Sequence, residues 1–241
     1  MIAQLNDRIL LKLSGSDTQS FLQGQLSNDI DALEEGVVQP NAYCQHQGKI
    51  IALLWVMKQG DDFYLSFPDD LKAIVVQKLT MFKMMSAVEI IDVSDEIIQL
   101  GVIDGSFEGA FRLNKQQSVA LVESVDGVEL GNESEWESAC IANNIAEVTL
   151  ATSEKFVPQL LNLDINEVGV SFNKGCYPGQ EVVARLHYLG KSKRRMRQFE
   201  CEGEVDVGDE LVVVGSKSAK ASGIVVRRVK LGAKSSFLAT V

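Results

Sequence analysis

The sequence predicts an α+β fold that combines a ferredoxin-like unit with a small C-terminal antiparallel β-barrel. Three observations carry that expectation. A β–α–β–β alternation occupies the middle of the chain, and four short strand-like runs separated by glycines follow a basic stretch near residue 194. Hydrophobic residues make up 46% of the 241, enough to bury a sizeable core.

The elements follow in order. Residues 8–13, RILLKL, read as a buried strand. Ser16-Asp17-Thr18-Gln19 predicts a capping box, with Ser16 as N-cap and Gln19 three residues on. Phe21, Leu22, Gln25 and Leu26 then recur at helical spacing. Tyr43-Cys44 and residues 50–57 read as strands joined by the turn His46-Gln47-Gly48-Lys49, and residues 63–67 alternate as another. Pro68-Asp69-Asp70 opens a helix with Leu71, Ile74, Val75, Leu79 and Phe82 on one face. Strands at 88–93, 97–103 and 119–122 complete the ferredoxin-like unit. Ser134-Glu135-Trp136-Glu137 predicts a second capping box, opening a helix with Trp136, Ala139 and Cys140 on one face. Residues 156–171 are irregular. The strand-like runs 195–201, 210–214, 223–229 and 236–241, punctuated by Gly203, Gly208, Gly215 and Gly232, predict the barrel.

Charge and cysteine usage exclude several classes. The net charge is −10, but residues 174–241 carry 13 basic against 7 acidic side chains. An acidic body with a basic C-terminal part argues against non-specific nucleic-acid binding by the whole molecule and leaves room for one local anion-binding face; no direct sequence-specific nucleic-acid binding is expected either. The longest apolar run, residues 50–57, is far short of the roughly 20 residues that span a bilayer, so no membrane contact is expected. The N-terminal residues show no signal-peptide pattern. Cys44, Cys140, Cys176 and Cys201 form no CxxC pair, which predicts reduced thiols and a cytoplasmic location. Two histidines, His46 and His187, and this cysteine spacing predict no stable metal site.

The segment KGCYPGQE, residues 174–181, concentrates the chemistry. Pro178 suits the first position of a helix whose apolar face is Val182, Val183 and Leu186. Cys176 is then expected just before a helix N-terminus, with Lys174 nearby, and both influences favour thiolate over thiol. Gly175 and Gly179 permit backbone geometry that a side chain would block. Gln180 and Glu181 fall in the first turn, placed to bind a ligand or brace the loop. The bland alternative is a small cysteine filling a tight loop-to-helix join. No histidine lies inside the motif, so a Cys–His nucleophilic pair has little support. The basic run Lys191, Lys193, Arg194, Arg195 and Arg197 reads either as an anion site or as a solvated turn into a charged edge strand.

KGCYPGQE resembles the signature K-G-C-[FY]-x-G-Q-E of the YgfZ family of folate-binding proteins. Weaker matches fall in order along the chain. Gly15-Ser16-Asp17, Phe21-Leu22-Gln23-Gly24-Gln25 and Asn28-Asp29 resemble its N-terminal block, and Gln47-Gly48-Lys49 its glycine turn. Phe156-Val157-Pro158-Gln159, Asn162-Leu163, Ser171-Phe172 and Arg185 resemble the approach to and exit from the signature. The resemblance implies a three-part architecture related to the aminomethyltransferase, or T-protein, of the glycine cleavage system. Its expected parts are residues 1–50 with 134–190, residues 51–133, and residues 191–241.

The resemblance further implies a bound tetrahydrofolate or derivative, and a role in assembling or repairing iron–sulfur enzymes, including those that modify tRNA. Those enzymes or their assembly machinery are the implied partners, and Cys176 is the implied functional thiol. Lys174, Gly175, Tyr177, Gly179, Gln180, Glu181 and Arg185 support it. Trp136 matches a tryptophan of the family's folate site; an aromatic face stacks on a pterin, but a helix tryptophan equally fills a core. Arg8 stands where a second folate-site tryptophan is expected, and can stack on a ring or pair with a carboxylate. Two alternatives stay open, a folate-dependent aminomethyltransferase and a non-catalytic interaction module. Against the enzyme, the glycine turn leads into Ala52 and Leu53, where the T-protein has an acidic pair. Neither side chain can move a proton.

Overall fold

The computed structural model describes residues 1–190, 192, 194–212 and 223–241. Lys191 and Lys193 of the basic run, Val213 and Val214 of the expected second barrel segment, and Gly215 after it lie outside the described residues. Along the chain run β1 (Ile2–Gln4), β2 (Arg8–Ser14), α1 (Thr18–Gln25), β3 (Gln39–Cys44), β4 (Ile50–Gln59), β5 (Asp62–Pro68), α2 (Lys72–Phe82) and β6 (Glu89–Asp92). Then come β7 (Ile98–Ile103), β8 (Phe111–Arg112), β9 (Gln117–Val122), α3 (Glu133–Ala142), α4 (Gln180–Tyr188), β10 (Met196–Glu202), β11 (Glu210–Leu211), β12 (Gly223–Leu231) and β13 (Lys234–Thr240).

Three antiparallel sheets result, ordered β3-β4-β5-β2-β6, β1-β7-β9-β8 and β10-β13-β12-β11. The α+β class therefore holds, with the β–α–β–β run divided between sheets. β4, β5, α2 and β6 join β2 and β3, while β7, β8 and β9 join β1. The boundary expected between residues 50 and 51 falls inside the first sheet, because β4 starts at Ile50 and pairs with β3 from Gln39↔Val56 to Cys44↔Ile50. Continuous apolar sequence explains this: eight of the ten β4 residues, from Ile50 to Met57, are buried, as befits a central strand covered on both faces.

The main core joins Leu11 and Leu13 of β2, Phe21 and Leu22 of α1, and Leu71, Val75 and Leu79 around α2. Phe82, expected on the same face, ends α2 and is 42% exposed. The helix outruns the core that its other apolar residues fill. A second core holds Leu10, Trp55, Trp136 and Cys140.

Neither capping box forms. α1 begins at Thr18 with Asp17 as N-cap, and the Asp17 carboxylate instead accepts from the Ala87 N–H. Gln19 donates to Asp31 rather than back to a cap. At α3 the cap is Asn132, whose side chain accepts from the Ser134 N–H at 2.9 Å. Asparagine outranks nothing here by type, since serine caps as well, but it lies two residues earlier and captures the helix start.

Candidate functional site

The site begins at a corner of backbone, Ser27-Asn28, that follows α1. Ser27 donates through its hydroxyl to the Gly169 carbonyl at 2.6 Å and accepts from the Ala42 N–H at 2.8 Å. The Asn28 amide donates to the carbonyls of Pro40 and Val168, both at 3.1 Å. Three distant segments therefore meet at this corner. Lys174 completes it: its ammonium donates to the carbonyls of Gln23, Leu26 and Asn28 at 2.7, 2.6 and 2.7 Å. These include carbonyls at the end of α1 that the helix leaves unpaired. Burial pushes the Lys174 pKa down to about 8, with Asp29 and Asp31 opposing. The lysine is thus a clamp on backbone, and its three donors are all engaged away from the thiol.

The octapeptide then turns over this clamp. Tyr177 is buried, with the Lys174 ammonium 5.4 Å from its ring centre, and burial raises its hydroxyl pKa. Cys176 between them is exposed. Gly175 has open space where a Cβ would sit. Gly179 is the opposite case. It has φ +83°, and a Cβ would stand 2.4 Å from the Gln45 carbonyl oxygen and 2.7 Å from Gly48 Cα. Gly48, at φ +74°, packs in turn on Val182. The glycine turn and the signature, read separately in the sequence, are in backbone contact.

Pro178 does not occupy the first helical position. α4 starts at Gln180 with Gly179 as its N-cap, because only glycine fits that left-handed, crowded point. Cys176 thus lies three residues before the cap. Val183 is buried, whereas Glu181 and Arg185 are exposed and make no side-chain hydrogen bond within the described residues. His187 stacks on Phe172 at 3.8 Å, with Tyr188 edge-on at 4.9 Å from His187. The ring is engaged with aromatics rather than with Cys176.

A cavity of about 550 Å³ opens beside the corner. Its walls include Pro40, Leu53 and Trp55 of β3 and β4, Leu161, Asn162 and Val168 of the irregular stretch, and no charged side chain. Neither Cys176 nor Trp136 lines it. Trp136 is 1% exposed, sits edge-to-face on Trp55 with centroids 6.3 Å apart, and lies against Gly101. A Cβ on Gly101 would be 2.5 Å from that indole. Trp55, missed in the sequence, is the tryptophan in the cavity wall. Its signal was an aromatic ring inside an otherwise aliphatic strand. Arg8 does stack on a ring and pair with a carboxylate, but within the protein: its guanidinium is 3.8 Å from the Trp55 centroid, and its partner is Glu147.

The irregular stretch 156–171 forms a strap along one wall, bound from both sides. Gln159 donates to the Val183 carbonyl of α4 at 2.8 Å. Arg195 forks onto both carboxylate oxygens of Asp164 and also donates to the Gln159 carbonyl at 2.8 Å. Asn162 donates to the Met196 carbonyl at 2.9 Å, while its own carbonyl oxygen is buried without a partner. Arg195, grouped in the sequence with a basic run, therefore holds the strap rather than forming an anion site or a solvated turn. Among the described residues no cluster of three or more His, Cys, Asp or Glu side chains is placed to hold a metal, and no helix is long and apolar enough to cross a membrane.

No protein-family model matches the chain. Its fold superimposes on the crystal structure of the glycine cleavage system aminomethyltransferase T from Bartonella henselae, with a TM-score of 0.71 at 11% identity, over 100% of this chain and 77% of that one. The class of protein is accordingly that of the aminomethyltransferase fold. An uncharacterized protein of Haemophilus influenzae is 31% identical over 233 residues, covering 92% of this chain and 82% of the relative. The tRNA-modifying protein YgfZ of Photobacterium profundum is 27% identical over 225 residues, covering 81% and 68%. That of Escherichia coli is 26% identical over 264 residues, covering 94% and 80%. The chain belongs to the YgfZ family.

Proposed function

We propose that the protein is a cytoplasmic, folate-binding accessory protein that supports the assembly or repair of iron–sulfur enzymes, including those that modify tRNA. Cys176 is its functional thiol. The observation that carries the reading is the pairing of an uncharged, tryptophan-walled cavity with an exposed cysteine on a rigidly clamped loop. The residues present fit a tetrahydropterin. Trp55, Leu53 and Leu161 offer apolar contact to a ring that is neutral, and the wall asparagines supply polar side chains without charge. The charged glutamate end of a folate would then remain outside. Trp136 and Arg8 support the site from behind, through Trp55.

The aminomethyltransferase alternative is disfavoured by the same wall. Ala52 and Leu53 are buried and apolar, and Leu53 lines the cavity where proton transfer would need a carboxylate. The relatives are named tRNA-modifying proteins, which agrees with service to tRNA-modifying enzymes.

The test has two arms. Calorimetric titration of the protein with tetrahydrofolate should show saturable binding, unchanged in Cys176→Ala because that residue is outside the cavity. The same variant should fail to restore iron–sulfur enzyme activity in a strain lacking the protein. Full rescue by Cys176→Ala would leave the interaction module as the better reading.

A further inference from the structure

We propose that the β8–β9 hairpin carries a second subsite beside the cavity: Arg112 and Lys115 bind the carboxylates of a tail that leads out of the cavity from the ring held inside. The ligand class is thereby narrowed to a neutral heterocycle bearing a glutamate-type, carboxylated extension. The inference rests on the folate reading above and deepens it by naming what receives the charged end.

The hairpin turn is well fixed. β8 pairs with β9, with Arg112 opposite Ser118. The N–H groups of Leu113 and Asn114 donate to the Gln117 carbonyl at 2.9 and 3.0 Å. The Asn114 side chain accepts from the Gln116 and Gln117 N–H groups at 2.8 and 2.9 Å. Neighbouring side chains of an extended segment point to opposite sides. Leu113 accordingly lines the cavity, whereas Arg112 and Lys115 line a separate groove that the loop 104–107 completes. Asn114 lines both, so cavity and groove share this side chain as a wall.

Both cations are available. Arg112 and Lys115 are exposed, and neither side chain makes a hydrogen bond or ion pair among the described residues. Asp104 lines the same groove and pairs with neither, so positive side chains outnumber negative ones there. Their surroundings make this notable, because residues 1–173 hold 10 basic against 26 acidic side chains. The strap wall offers no such partner: Arg195 is committed to Asp164, and Glu167 adds a negative charge beside the lining residue Asn166. The cavity itself has no charged side chain, so a carboxylate inside it would be desolvated without compensation. A carboxylated tail is therefore excluded from the cavity and drawn toward the hairpin rather than the strap.

The experiment is calorimetry on the full chain with two probes: tetrahydrofolate, which carries the glutamate, and tetrahydropterin, which lacks it. The variant combines Arg112→Gln with Lys115→Gln, both at exposed side chains, and keeps the backbone bonds of the hairpin. The expected result is a loss of about three- to tenfold in tetrahydrofolate affinity, the size of one or two exposed ion pairs, with tetrahydropterin unaffected. A second measurement needs no variant. Raising NaCl from about 50 mM to about 500 mM should weaken wild-type binding of tetrahydrofolate and leave that of tetrahydropterin unchanged. Unchanged tetrahydrofolate affinity in the variant overturns the proposal, as does an equal loss for both probes or a tetrahydrofolate affinity indifferent to salt. Each of these leaves the folate reading standing. A wild type that binds neither probe overturns the folate reading, and this inference with it.

Discussion

Of the four thiols, Cys176 alone is exposed, with Cys201 half-buried and Cys44 and Cys140 buried. Burial pushes Cys44 up to about 12 and Cys140 up to about 11, which removes them from thiolate chemistry near neutrality. Limited treatment with iodoacetamide at pH 7.5 should therefore modify Cys176 first. Peptide mapping checks it, and earlier labelling of Cys44 or Cys140 would contradict the burial described. At this scale the sequence was partly legible. The octapeptide stands out by composition, and its cysteine is indeed accessible. The role of Lys174 was not legible, because its partners lie about 150 positions earlier and a lysine beside a cysteine reads most simply as an electrostatic neighbour. Trp136 misled for a related reason. A helix tryptophan shows its spacing but not whether its face meets a ligand or, as here, a glycine on another strand.

At the scale of elements, the approach of the glycine turn to the start of α4 separates the two motif glycines. Gly179→Ala must relieve both a left-handed φ and a 2.4 Å contact, and should cost at least about 2 kcal/mol of stability. Gly175→Ala meets open space and should stay within about 0.5 kcal/mol. Urea unfolding of both variants checks this. A Gly175→Ala protein that is stable yet fails to rescue would locate the need for that glycine in access to Cys176. The strands were legible from alternation and apolar runs, and β2, β4, β5 and β7 lie where periodicity places them. Helix starts were less so, because Asp17 and Asn132 compete with the neighbouring serines and tertiary partners decide. The strap at 156–171 has no periodicity at all; it is held by Arg195 and Gln159, bonds that no local pattern announces.

Across the whole molecule, a buried ionic group joins the three sheets. Arg227 of β12 forks onto Glu137 of α3, with both contacts at 2.7 Å, and stands 3.8 Å from Glu147. Glu147 also pairs with Arg8 of β2, which donates to Ser66 of β5, whose hydroxyl donates in turn to Gln99 of β7. Burial by itself would raise the Glu147 pKa, but Arg227 and Arg8 outweigh it and hold the carboxyl below its ordinary value of 4.5. The folded chain thus keeps this carboxylate ionised where the unfolded chain has begun to protonate. Its contribution is present above about pH 4.5 and is lost as the pH falls below that value. Asp7, raised by burial and by Glu147, acts in the opposite sense, so the comparison must isolate Glu147. Glu147→Gln should be less stable than wild type at pH 7, with the gap narrowing between pH 4.5 and 3 in urea titrations. A gap that stays constant would remove Glu147 from the ionic group. The boundary expected at residues 50 and 51 cuts the first sheet for the same reason that this group escaped the sequence: both depend on pairings between segments apart in the chain.

The hold of Arg195 on the strap has a consequence for the chain as it is made. The octapeptide, its lysine clamp and the corner at Ser27-Asn28 are all encoded before residue 182. The arginine that secures the opposite wall, and the β13 strand on which β10 is laid, emerge from the ribosome only afterwards. A nascent chain therefore carries its signature before the strap wall of the cavity is secured. Docking of Arg195, rather than synthesis of the signature, is the step that secures the strap.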